Sequence, residues 1–156
     1  MMFWILGVTT ILFLVLSAVQ DLEERMVYIA PAIVLHGGWI AYIAAYSKWD
    51  VLPLFAFFIV NLLILFSLDH FAVWGSGDSY LFFLVTDLCF FIGMKDGLTG
   101  VFLTECIYLA IALVIAIVIG IIEARLKHIS IKESVAVVPG LAVVAIILCI
   151  RYGIWR

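Results

Sequence analysis

The chain has 156 residues, of which 68% are hydrophobic and 12% charged, and its formal net charge is -3. A soluble domain carries about a quarter charged residues, so this composition predicts an integral membrane protein and excludes an ordinary soluble globule. The negative balance also excludes a nucleic-acid binder, which needs a basic face to neutralise phosphates.

Six apolar blocks follow one another along the chain, at 3–20, 29–46, 51–68, 80–94, 100–122 and 134–150. The first has no Lys or Arg ahead of Arg25, so it lacks the basic n-region of a secretory signal and reads as a membrane helix. Crossing the hydrocarbon core takes about 20 residues, and lipid offers the backbone no hydrogen-bond partner, so each block is predicted to be helical. The expected fold is an all-α polytopic bundle of about six transmembrane helices forming a single domain over 1–156. The fourth and sixth blocks are short for straight spans. Cys89, Cys106 and Cys149 sit inside apolar blocks with no CxxC spacing, and read as small buried hydrophobes rather than disulfide partners or metal ligands.

The connectors hold the polar residues. With six crossings, the first, third and fifth connectors share a side, and Lys and Arg divide four against four between the two sides. Arg25, at the end of the first helix, assigns the odd connectors to the cytoplasm.

Two carboxylates stand out on that side. Asp21 closes the first helix in SAVQDLEERMVY, and Asp78 opens the fourth in WGSGDSYLFF. Two crossings separate them, so they return to one membrane face. Carboxyls that share a site ionise unequally, so one can act as general base on water while the other protonates or polarises a carbonyl. Gly75 and Gly77 allow a sharp turn and a close approach of substrate backbone. The competing reading of Asp78 is a helix cap, since it precedes an apolar helical run.

QDLEERMVY followed by GSGDSYLF resembles the GxGD intramembrane aspartyl proteases, in particular the type IV prepilin peptidases and their preflagellin relatives. The resemblance covers essentially the whole chain. It implies Asp21 and Asp78 as the catalytic pair, Gly75 and Gly77 as motif glycines, and a cytoplasm-facing site in the cell membrane. VAVVPGLAVV looks like the proline-bearing stretch of the family's last helix, which implies a structural role for Pro139. The family's I-P-N after the first Asp is here Val27, Tyr28, Ile29, and Tyr80 stands where a Lys is usual, although Leu81 matches. The cysteine-bearing cytoplasmic domain that accompanies N-methylation is missing, so no methyltransferase activity is expected. The implied activity needs no metal or cofactor. The implied partners are prepilin-like single-helix proteins carrying a short basic leader, alongside membrane lipid. Glu23 and Glu24, beside Asp21, form an acidic patch that can attract such a leader, or a solvated helix end.

Other polar residues bear on a second class of function. Asp69 and His70 end the third block and read as a solvated terminus. His36, beside Gly37 and Gly38, reads as a neutral histidine bonded across a helix contact. Asp87 lies nine residues beyond Asp78, about 13 Å along a helix, too far to join the same pair. If Asp87 and Glu105 faced a wet cavity with Asn61 and His36, the chain would read as a cation- or proton-coupled carrier. The preferred placement of both acids is near the outer interface. The segment EARLKHISIKES is basic on balance and suits anionic lipid head groups.

Overall fold

The structure, a computed structural model, describes residues 2–24, 26–47, 49–70, 76–128 and 136–154. Among these residues every regular element is helical: α1 Met2–Glu24, α2 Ile29–Tyr46, α3 Val51–His70, α4 Ser76–Gly93, a 3₁₀ turn Met94–Asp96, α5 Gly97–Lys127 and α6 Val138–Ile154. Three stretches, Met2–Glu24, Ile29–Tyr46 and Gly77–Lys127, are long and apolar enough to cross a membrane, while Val51–Ser67 and Val138–Gly153 are shorter apolar helices. The 3₁₀ turn splits the longest stretch into α4 and α5. Gly97 adopts a φ of 72° there, a backbone state that costs glycine little.

The arrangement follows from α4. Residues 81–91 are all buried apart from Phe83, as expected of a helix enclosed by neighbours on every side, and this buried stretch includes Thr86 and Asp87. Contacts link α4 to α1, α2, α3, α5 and α6, and further pack α2 on α1, α1 on α6 and α6 on α5. Side chains join α3 to α5, with Phe57 and Phe102 rings 6.3 Å apart. The shell around α4 therefore runs α2, α1, α6, α5, α3. On the other flank of α3, side chains join it to α2, with the His36 and Phe58 rings 6.5 Å apart. One apolar core, with Phe3, Trp39, Phe57, Leu84, Val101 and Leu141 from the six helices in turn, fills the interior.

The exterior is also apolar. Ile5, Val8, Leu12, Leu16 and Val19 form an exposed stripe on α1, and Ile107, Ile111, Val114, Val118 and Ile122 form another on α5. Water-soluble monomers rarely show continuous apolar surface on this scale, whereas lipid tails solvate it without penalty. Hydroxyls inside such helices turn back on their own backbone: Thr9 Oγ1 donates to Ile5 O at 2.7 Å and Thr104 Oγ1 to Gly100 O at 2.7 Å. This satisfies them without water. At the end where α1 begins and α4 finishes, Phe3 stacks on Tyr152 at 3.8 Å, and Trp39 and Phe91 pack at 5.5 Å. Trp39 Nε1 donates to buried Thr10 Oγ1 at 2.9 Å.

Close packing of α5 on α6 depends on small side chains. Ala112, Ala116, Gly120 and Ala124 recur every fourth residue on the buried face of α5. A Cβ on Gly140 would run into the carbonyl oxygen of Ala112, a backbone atom that cannot swing aside. Cys149 lies against Gly7, and both Cys89 and Cys149 are buried. Cys106, expected to be buried, faces outward, because its position on α5 falls on the exposed side.

The contrast between two glycines checks this packing. Gly140→Ala should destabilise the bundle by about 1–3 kcal/mol through overpacking. Gly37→Ala, where nothing lies within 4 Å of the added methyl, should be neutral or stabilise by up to about 1 kcal/mol through helix propensity. Unfolding of the two variants in mixed detergent micelles measures the difference.

Candidate functional site

Asp21 lies one turn before the end of α1 and is only 7% exposed. Its orientation comes from helical period: Phe3, Gly7, Thr10, Leu14, Ser17, Ala18 and Asp21 form the buried stripe of α1, spaced by three or four residues as one helix face requires. The neighbouring Glu23 and Glu24 fall off that stripe and are exposed. Asp78 is the third residue of α4 and half-buried. In the first turn of a helix a carboxylate meets unpaired backbone N–H groups and the positive end of the helix dipole.

Two contacts bring the relevant helix ends together. Val27, six residues past Asp21, lies 3.5 Å from the position a Cβ would take on Gly77. The start of α4 thus packs against the connector leaving α1, and the expected return of Asp21 and Asp78 to one end of the bundle holds. Gly77 keeps that approach tight because it has no side chain. From the other flank, Lys127 Nζ donates to Leu22 O at 3.4 Å and to Glu123 Oε1 at 2.8 Å, tying the end of α5 to the end of α1. Glu123 is 8% exposed. Sequence reasoning left it in a polar connector, although α5 runs on to Lys127; its spacing of four from Lys127 was the available signal.

The remaining expected site residues divide. Pro139 is buried as the second residue of α6, a position where its missing N–H costs no helical bond. Gly75 and the side chain of Asp69 lie outside the described residues. His70 is the last residue of α3, exposed, with its ring parallel to Phe66 at 6.1 Å.

Asp87 and Glu105, expected near the outer interface, are both turned into the bundle. Asp87 is wholly buried and Glu105 is 5% exposed. His36 Nδ1 and Asp87 Oδ2 are 2.7 Å apart, with one proton between them. The His36 ring also stacks on Phe83 at 4.8 Å. Asn61 Nδ2 donates to Glu105 Oε1 at 3.1 Å. The reason is geometric: positions 87 and 105 fall on faces turned towards α2 and α3, and in an apolar interior each acid has to pair with what those helices present. The hydrogen bond expected of His36 across a helix contact is present, and its partner is an acid.

Comparison with known proteins supplies no relative: no family model matches the chain, and no curated protein or solved structure matches it.

The Val27–Gly77 approach gives a direct check of how the site is assembled. In a background with Cys89, Cys106 and Cys149 replaced by alanine, the pair Val27→Cys and Gly77→Cys should form a disulfide readily under mild oxidation. Their Cβ separation matches that of natural bridges, about 3.5–4.5 Å. Failure to cross-link in intact membranes would show that the connector and α4 are not packed together.

Proposed function

We propose that the chain is a membrane aspartyl endopeptidase of the prepilin-peptidase type, with six crossings, that cuts the basic leader from prepilin-like or archaellin-like precursors at the cytoplasmic face. The observation that carries this reading is the packing of Val27 on Gly77, which gathers the Asp21 end of α1 and the Asp78 start of α4 at one end of the bundle. The sequence GSGD and its resemblance to the GxGD proteases add the chemistry. One aspartate, ionised, takes a proton from water. The hydroxyl oxygen adds to the scissile carbonyl carbon while the other aspartate gives its proton to the carbonyl oxygen. Collapse of the diol breaks the C–N bond, and the departing amine takes up a proton from the pair. Because the two carboxyls titrate together, the roles of base and acid belong to the pair rather than to either residue.

The exposed Glu23 and Glu24 support recognition of a basic leader, since charge at the rim of a site steers and orients an oppositely charged partner. Tyr80, 39% exposed on the first turns of α4, is where substrate preference would diverge from the family pattern. The buried His36–Asp87 and Asn61–Glu105 contacts favour a second reading, a cation- or proton-coupled carrier. It requires those acids to reach water on both sides in alternation.

Co-expression with a prepilin-like substrate separates the two. Asp21→Ala and Asp78→Ala should each lower cleavage by about 10²–10⁴-fold or more, the usual worth of general acid–base groups, with the variants still inserted in the membrane. Full cleavage by either single variant would end the two-aspartate mechanism. A carrier predicts instead that Asp87→Asn and Glu105→Gln abolish ion flux in proteoliposomes. A further expectation concerns the rim: Glu23→Lys with Glu24→Lys should slow cleavage of a basic-leader substrate, and more so at low ionic strength because salt screens exposed charge. Unchanged processing would dismiss the acidic patch.

A further inference from the structure

Away from the Asp21 and Asp78 end, four helices turn polar side chains into the bundle: His36 from α2, Asn61 from α3, Asp87 from α4 and Glu105 from α5. Asp87 is fully buried, Asn61 is 1% exposed and Glu105 is 5% exposed. His36 is the part-open member, with its side chain 21% accessible, and its ring lies within 6.5 Å of Phe58 of α3.

Hydrogen-bond accounting shows what this group lacks. Asn61 Nδ2 donates to Glu105 Oε1 and to Phe57 O, each at 3.1 Å, which uses both amide hydrogens. One proton joins His36 Nδ1 to Asp87 Oδ2. Three buried acceptors, Asp87 Oδ1, Glu105 Oε2 and Asn61 Oδ1, have no hydrogen-bond partner. Buried polar atoms are nearly always satisfied, because leaving one unpaired in an apolar medium forfeits its hydration. His36 is engaged with Asp87, and Glu105 meets the neutral amide of Asn61.

The other ionisable groups nearby do not supply the balance. Cys89 on α4 is a thiol, and Arg151 of α6 is directed to Tyr108 Oη at 2.9 Å. The groups presented by α1 and α3, Thr10 and Asn61, are neutral. All three unpaired atoms are hard oxygen acceptors, suited to a proton or an alkali cation rather than a soft metal. Among the described residues no three His, Cys, Asp or Glu side chains converge as a metal site.

We infer that Glu105 and Asn61 form an internal site for one exchangeable monovalent cation, a proton or a sodium-like ion, which neutralises the Glu105 carboxylate. The site is separate from Asp21 and Asp78 and does not depend on the peptidase reading.

The test uses the full chain purified in detergent, with thermal unfolding followed in two series: pH varied in sodium-free choline buffer, and sodium varied at one pH. A ligand held only by the folded protein stabilises it by mass action, so the wild-type Tm should rise by a few degrees per tenfold increase in the bound cation. A rise with falling pH in choline identifies the proton; a rise with sodium at fixed pH identifies the alkali ion. Glu105→Gln keeps an oxygen for Asn61 but removes the charge, and should flatten whichever response is seen. Asp50→Asn, at an exposed position, should retain it. Identical responses in wild type and Glu105→Gln, or no response to either cation in the wild type, would overturn the inference. If Glu105→Gln does not fold, infrared difference spectra of the wild type decide. Interconversion of a buried carboxyl band with proton or sodium supports the site, and carboxyl bands insensitive to both overturn it.

Discussion

Hydrocarbon around the helices means that every polar group in the bundle has to find its partner within the chain, and the rest of the structure follows from that demand. Backbone groups close their own helices, and threonine hydroxyls fold back on the preceding turn. The central helix, α4, can be surrounded by five others because its own backbone needs nothing from them. Among what remains polar, two places gather acids, the end of the bundle and a small group of side chains in its interior.

These two places are built by different means. At the end of the bundle, period and capping do the work: Asp21 rides on the buried stripe of α1, and Asp78 stands where the first turn of α4 has N–H groups to spare. A single close approach, Val27 on Gly77, brings the two helix ends together. The interior group is a tertiary product. His36, Asn61, Asp87 and Glu105 come from four helices, and no pair of them is closer in sequence than 18 residues. Their meeting depends on α2, α3 and α5 all packing around α4.

Small residues set how closely the shell can draw in. The stripe Ala112, Ala116, Gly120 and Ala124 lets α6 approach α5 backbone to backbone at Gly140. Association of helices in lipid relies on such fit, because burying apolar surface brings no hydrophobic gain when the alternative is an alkyl chain.

Much of this was legible in the sequence. Composition and block length determined that the chain is helical and suited to a membrane, because unbroken apolar blocks in a 156-residue chain with 12% charge satisfy their backbone within lipid as helices. The positions of Asp21 and Asp78 at helix ends followed from the same blocks, and counting crossings returned them to one side. Boundaries shifted where polar residues continue a helix, as with Glu123 and Lys127 on α5, since helix dipole and i,i+4 pairing favour charge in a last turn. Only the tertiary structure decided where Asp87 and Glu105 go. A lone acid in an apolar block reads the same whether it faces an interface or a partner. The choice belongs to the neighbouring helices, and it was made by His36 and Asn61, whose hydrogen bonds exist only once four separate helices have packed.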